Sequence, residues 1–140
     1  MKQVKIIEPK IFNEEKKYIL SCIKNNEIST YGRFINKFEK KVAKISSAKY
    51  SVALTSGSVG LFLALRAIKI KKSDLVIAPS YTFAATTNAI IHSNATPLLF
   101  DIEESTMCID LKKVLYFLKN NTFKSGRYYY DKKSKKRIAC

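Results

Sequence analysis

Two short polar segments, each following an apolar stretch, have residue types suited to binding an anion and a flat ring. Residues 55–58 read Thr-Ser-Gly-Ser, between a strand predicted at residues 51–55 and a strongly apolar helix. The first N–H groups of a helix have no intrahelical partner and carry partial positive charge. Gly57 lets a ligand approach the backbone, and Ser56 and Ser58 add hydroxyl donors. The segment predicts a phosphate-binding turn, although a simple N-cap serine and a turn glycine would look the same.

The second segment, residues 79–83, reads Pro-Ser-Tyr-Thr-Phe and follows an apolar strand predicted at residues 75–78. Because parallel strands place their carboxyl ends at one edge of a sheet, we expect this segment beside the first. Phe83 or Tyr81 would stack there on a planar ring, or serve only as a core aromatic that opens a helix. Asp101 ends a third predicted strand, and we expect it to cap the turn that follows.

The sequence lacks the residue spacings that a metal site or an activated nucleophile requires. The three cysteines, Cys22, Cys108 and Cys140, contain no CxxC pair, which predicts reduced thiols and neither a metal site nor a disulfide framework. His92 is the single histidine, and no sequence pattern pairs it with a serine or cysteine nucleophile. We expect it to act as a helix-dipole partner.

The elements that must position these segments divide the chain in two. Residues 1–48 predict an N-terminal helical segment, with one helix capped by Asn13. Residues 49–140 predict an α/β domain, because strands and helices alternate there and the strands are apolar throughout, as in parallel sheets covered on both faces. The predicted helices are 14–24, 34–45, 58–68, 81–92 and 111–119, and the predicted strands are 51–55, 75–78 and 96–100.

The charge of the chain is strongly positive, with 26 Lys and Arg against 11 Asp and Glu. Residues 124–137 alone carry seven basic residues, three consecutive tyrosines and one acid. This composition raises a basic nucleic-acid-binding protein as an alternative. Lysine outnumbers arginine and is spread along the chain, which favours a solvated hairpin or loop and makes nucleic acid an unlikely partner. No apolar run is long enough for a membrane span or a signal peptide, so we expect a cytoplasmic protein without a membrane partner.

Four stretches in order, residues 52–58, 61–67, 73–83 and 95–102, resemble the DegT/DnrJ/EryC1/StrS family of pyridoxal-phosphate-dependent sugar aminotransferases. The resemblance covers roughly residues 10–112. It implies the N-terminal portion of a type I aminotransferase large domain, a three-layer α/β fold with a parallel-rich sheet. It also implies transfer of an amino group, usually from glutamate, to a nucleotide-linked keto sugar of cell-surface polysaccharide or glycan biosynthesis. The expected assembly is a homodimer with its active site at the interface.

The same resemblance assigns cofactor contacts to four residues. Gly57 and Ser58, together with Ser56, match the loop that holds the phosphate of pyridoxal phosphate, and Phe83 matches the aromatic residue that stacks on the pyridine ring. Ser58 stands where the family usually has threonine, and this exchange keeps the hydroxyl. Gly60 stands where alanine is usual.

Substrate contacts are implied for Thr30, Tyr31 and Gly32, which fall where the family's N-terminal segment approaches the sugar. The family's ring-nitrogen aspartate and Schiff-base lysine lie further downstream than Cys140. We therefore assign no catalytic residue and expect a partial chain that does not transaminate by itself. A non-catalytic interaction protein with this fold is the other alternative.

Overall fold

The computed structural model describes residues 8–140, which form two compact units. One unit ends at Ala53, and the other comprises Leu54–Cys140. The helices are α1 (Asn13–Lys24), α2 (Arg33–Ile45), α3 (Gly57–Ala67), α4 (Ala84–His92) and α5 (Leu111–Asn120). The strands are β1 (Leu75–Pro79), β2 (Thr96–Phe100), β3 (Thr122–Ser125), β4 (Tyr128–Asp131) and β5 (Arg137–Ile138).

The first unit pairs α1 with α2 but buries no residue of either helix. The rings of Tyr18 and Phe34 meet with centroids 5.1 Å apart, and Arg33 Nη2 donates to Ser21 Oγ. The prediction that Asn13 caps this helix is wrong, because Asn13 is the first helical residue and Phe12 is the N-cap. The N–H of Phe12 donates to the carboxylate of Glu15. Because short helices depend on packing for their stability, a unit that buries no residue of either helix has little stability of its own.

The strand predicted at residues 51–55 is also absent. Ser51 Oγ donates to the carbonyl of Glu39 at 2.6 Å, and the N–H of Ala53 donates to Glu39 Oε1 at 2.8 Å. Polar groups of this segment therefore form their hydrogen bonds with Glu39 of α2. A strand would instead need a neighbouring strand to pair with its backbone.

The second unit is built on a mixed sheet in the order β2-β1-β5-β4-β3, so that β2 and β3 are its edges. β1 runs parallel to β2, in register from Leu75↔Thr96 to Pro79↔Phe100, and also parallel to β5. β4 pairs antiparallel with both β5 and β3. The α/β class and the parallel central pairing are confirmed. The first part of the basic segment lies in a hairpin, one of the two forms expected for it, with Gly126 at the turn (φ 58°).

The core of this unit lies where β1 meets α4 and the turns around it. Its buried members are Ile70, Val76, Ala78, Ile90 and Ala95. Asn94, with φ 59°, adopts the left-handed conformation just after the end of α4 and turns the chain into β2.

α4 starts three residues later than predicted, at Ala84 rather than Tyr81. The N–H of Ser80 donates to the carbonyl of Phe100 at 2.7 Å, so the chain continues alongside β2 beyond Pro79 before it turns. This delay leaves residues 80–83 as a connecting turn at the carboxyl end of β1.

Replacing Gly60 with alanine is expected to stabilise the chain by roughly 0.5–1 kcal/mol, because glycine inside a helix costs about 1 kcal/mol relative to alanine. The added Cβ would lie 3.6 Å from Leu54 Cδ1, an ordinary van der Waals contact. Urea unfolding of the two proteins tests this. A lower midpoint for the variant would mean that this contact is a clash.

Candidate functional site

The first turn of α3 presents backbone N–H groups that no acceptor in residues 8–140 uses. Ser56 is the N-cap, and its Oγ accepts the N–H of Val59 at 3.3 Å, which leaves the hydroxyl proton available to a ligand. Its carbonyl accepts the first helical bond from Gly60 at 3.1 Å. The N–H groups of Gly57 and Ser58 have no acceptor among the described residues. A Cβ built on Gly57 has no neighbour within 4 Å, so the space beside these donors is open. The turn therefore has the donors and the room that a phosphate requires.

Phe83 is the N-cap residue of α4 and is 85% exposed. A planar aromatic side chain this exposed leaves a large apolar surface without a partner in the described chain. Tyr81, in the same turn, is also exposed. Both rings lie just beyond the carboxyl end of β1, where the sequence places them, and either can stack on a ligand ring.

A groove of about 430 Å³ lies along the packed helices α3 and α4 and is lined by residues of both. Its lining includes Ser58, near the start of α3, and both Ala85 and His92, from the two ends of α4. The groove itself is lined by Ser58, Val59, Phe62, Ala85, Asn88, Ala89 and His92, without Ser56, Gly57 or Phe83. Sequence reasoning missed it, although Ala85 and Ala89 stand four residues apart on one face of α4, and small residues at this spacing leave a depression.

Asp101 serves the turn after β2, as predicted. Its Oδ1 accepts the N–H of Ile102 at 2.9 Å, and its Oδ2 pairs with Lys113 Nζ at 2.7 Å. The hydrogen bond from Lys113 is the main reason why the pKa of this carboxyl lies below its usual value. Asp101 therefore stays ionised and is held by the start of α5.

The residues expected to approach a sugar lie in the loop between α1 and α2, within the first unit. Tyr31 and Gly32 line a polar pocket of about 490 Å³, whereas Thr30 does not line it. A pair between Arg33 Nε and Glu27 Oε2, 2.9 Å apart, lies at this pocket. The other lining residues are Asn25, Asn26 and Ser29, which the sequence predicted as loop, and Asn36, which it predicted within a helix. Three asparagines within twelve residues are the signal that could have identified this pocket.

The aromatic rings of the β3–β4 hairpin are largely engaged within the hairpin and β5. Phe123 stacks on Tyr130 at 5.6 Å, and Lys135 Nζ lies 5.4 Å from the Phe123 ring. The guanidinium groups of Arg127 and Arg137 lie 5.0 and 4.7 Å from the Tyr128 ring. Because nucleic-acid binders use free ring faces to stack bases, these contacts favour the structural hairpin over the nucleic-acid alternative.

Residues 8–140 contain no group of three His, Cys, Asp or Glu side chains placed to hold a metal ion, and the three cysteines are free. Over the same residues, no helix is both long and apolar enough to cross a membrane.

The model of the DegT/DnrJ/EryC1/StrS aminotransferase family matches residues 9–125, which include the 55–58 turn and Phe83. The chain belongs to this family. A GDP-perosamine synthase of Escherichia coli O157:H7 is 34% identical over 122 residues, which are 87% of this chain and 34% of the relative. The spore coat polysaccharide biosynthesis protein SpsC of Bacillus subtilis is 40% identical over 106 residues, 76% of this chain and 27% of the relative.

Solved structures of similar proteins share the fold. The aminotransferase from Psychrobacter cryohalolentis superposes with a TM-score of 0.73 at 27% identity, covering 77% of this chain and 28% of the other. NtdA from Bacillus subtilis, crystallised with bound cofactor PMP, gives a TM-score of 0.68 at 31% identity, covering 76% and 25%. This member of the DegT/DnrJ/EryC1/StrS family thus spans about a third, or less, of the length of these relatives. Its family match ends at residue 125, before β4.

Proposed function

We propose that this chain forms the cofactor-binding part of a pyridoxal-phosphate-dependent aminotransferase that acts on a nucleotide-linked keto sugar in polysaccharide biosynthesis. The proposal includes glutamate as amino donor, a homodimer as the active form and a cytoplasmic location. Family membership supports the reaction class, and the GDP-perosamine synthase and spore coat relatives support the substrate class. The observation that carries the proposal is the pair of N–H groups at Gly57 and Ser58 that have no acceptor within residues 8–140, together with the open space beside Gly57, where a Cβ would meet no atom within 4 Å.

The described residues would hold the cofactor through its phosphate and its ring. The N–H groups of Gly57 and Ser58 would donate to the phosphate, helped by the α3 dipole, and the hydroxyls of Ser56 and Ser58 would add two donors. Phe83 would cover one face of the ring and exclude water from it. When bound, pyridoxal phosphate supplies the electron sink that transamination requires.

Thr30, Tyr31 and Gly32 are proposed to contact the sugar. Amide, hydroxyl and guanidinium groups around the α1–α2 loop provide both donors and acceptors, which suits a hydroxyl-rich ligand better than an apolar one. The exposed Tyr31 ring can also cover an apolar face of the sugar.

Pyridoxamine phosphate is a direct probe of the proposed cofactor site, because it carries the phosphate and the ring but forms no Schiff base. Calorimetric titration of the 140-residue chain should show binding of pyridoxamine phosphate and at least tenfold weaker binding of pyridoxamine, which lacks the phosphate. Equal affinity for the two compounds would exclude the phosphate-binding role. An amino-donor and keto-sugar assay on the intact protein then separates an aminotransferase from a non-catalytic protein of the same fold.

Replacing Phe83 with alanine is expected to weaken pyridoxamine phosphate binding about tenfold, since aromatic stacking contributes roughly 0.5–1.5 kcal/mol beyond area burial. The same titration measures it. Tyr116→Ala, which removes an exposed ring from α5, serves as the matched control and should leave the affinity unchanged. An unchanged affinity for Phe83→Ala would remove this residue from the cofactor site.

A further inference from the structure

A buried ion pair joins two residues that are far apart in the sequence. Asp74 immediately precedes β1, and Arg137 is the first residue of β5; their side chains are 5% and 13% exposed. Arg137 Nε donates to Asp74 Oδ1 at 2.9 Å, and Arg137 Nη2 donates to Oδ2, so the guanidinium forms a bidentate pair with the carboxylate. A third bond comes from the N–H of Lys71 at 2.7 Å. Burial pushes the pKa of Asp74 upward, but these hydrogen bonds outweigh it and hold the pKa below its usual value.

The same guanidinium also reaches the hairpin. Its centre lies 4.7 Å from the ring of Tyr128 in β4, and Arg127 approaches that ring as well. One side chain from β5 therefore contacts a residue at the start of β1 and a residue of β4, the strands on either side of it.

Backbone hydrogen bonds also join β5 to β1 at this junction. Ile138 of β5 is in register with Leu75 of β1. The N–H of Ala139 donates to the carbonyl of Leu75 at 2.9 Å, and the N–H of Ile77 donates to the carbonyl of Cys140 at 2.7 Å. Among residues 8–140, the Asp74–Arg137 pair supplies the side-chain hydrogen bonds between the hairpin side of the sheet and its parallel part.

We propose that Asp74 and Arg137 form a conformational clamp that docks the β3–β4 hairpin onto the parallel part of the sheet and sets β5 in register with β1. Opening this Asp74–Arg137 clamp leaves the hairpin as an undocked two-stranded ribbon while β1, β2 and α4 stay packed. The undocked hairpin then unfolds locally, because its four-pair ladder alone gives only marginal stability. Asp74 is the buried acid that neutralises Arg137 at this junction.

Hydrogen exchange of the 140-residue chain, followed by mass spectrometry, tests the clamp. Asp74→Asn and Arg137→Met should each speed exchange in residues 122–131 about 100-fold, since an unpaired buried charge or polar group remains. The double variant should add little to either single change. Arg137→Lys keeps the charge but not the bidentate hydrogen bonding and should give an intermediate, roughly tenfold, increase in the hairpin's exchange rate. Segments in α4 and β2 should keep their rates in all four proteins.

Asp101→Asn is the matched control, because its pair with Lys113 has a similar length but is exposed. It should not change exchange in the hairpin. The proposal is overturned if the hairpin exchanges at the wild-type rate in Asp74→Asn and Arg137→Met. It is equally overturned if α4 and β2 accelerate together with the hairpin, since the pair would then support the whole unit, or if the single effects simply add.

Discussion

Replacing Gly57 with aspartate should weaken binding of pyridoxamine phosphate by more than 100-fold. The new carboxylate would occupy the free N–H groups at the start of α3 and repel the phosphate. Hydrogen bonds to charged groups contribute roughly 1.5–3 kcal/mol each, so losing two of them exceeds the 100-fold threshold. The fold should tolerate the change, because the space beside Gly57 is open and an acid at a helix N-terminus interacts favourably with the dipole.

Calorimetric titration of both proteins gives the comparison, with circular dichroism to confirm that α3 is retained. Gly57→Ala is the matched control. It adds a side chain in the same open space without a charge and should reduce affinity less than tenfold. If the aspartate variant binds as tightly as the alanine variant, the phosphate does not lie at this turn.

The second large effect concerns the core rather than the site. Ile90 is 2% exposed and packs in the core cluster, whereas the next residue, Ile91, is 56% exposed. Ile90→Ala should lower the free energy of unfolding by about 3 kcal/mol, because it removes buried methyl groups and leaves a cavity. Ile91→Ala, the same change one position along the same helix, should cost less than about 0.5 kcal/mol.

Urea titration followed by circular dichroism measures both values. Equal losses for the two variants would show that α4 does not present the Ile90 face to β1. Because neighbouring residues share chain context and helix propensity, the difference between them reports burial alone.

Sequence patterns were sufficient where the determining interactions are local. β1 and β2 follow from apolar runs, and the end of α4 follows from Asn94, a residue type that tolerates the left-handed conformation it adopts there. The prediction of a strand at residues 51–55 was wrong, because a strand requires a partner strand. Here Glu39 accepts hydrogen bonds from the segment instead. Local propensity contains no information about that competition.

The candidate site divides in the same way. The turn at Gly57 and the aromatic at Phe83 were predicted from their positions after apolar segments, and their roles toward a cofactor stay predictions. The groove between α3 and α4 depends on how two helices pack. The pair between Asp74 and Arg137 spans 63 positions and leaves no periodic or motif signal, so only the folded chain reveals it.

The position of Pro97 in the edge strand β2 affects how this sheet meets other chains. The N–H of Thr96 points toward β1, where it donates to the carbonyl of Asp74 at 2.8 Å. Since successive N–H groups of a strand point to opposite sides, the nitrogen of Pro97 faces outward and offers no donor to an incoming strand. At the opposite edge, Lys124 places a charge on β3. Both edges thus carry residues that discourage edge-to-edge aggregation.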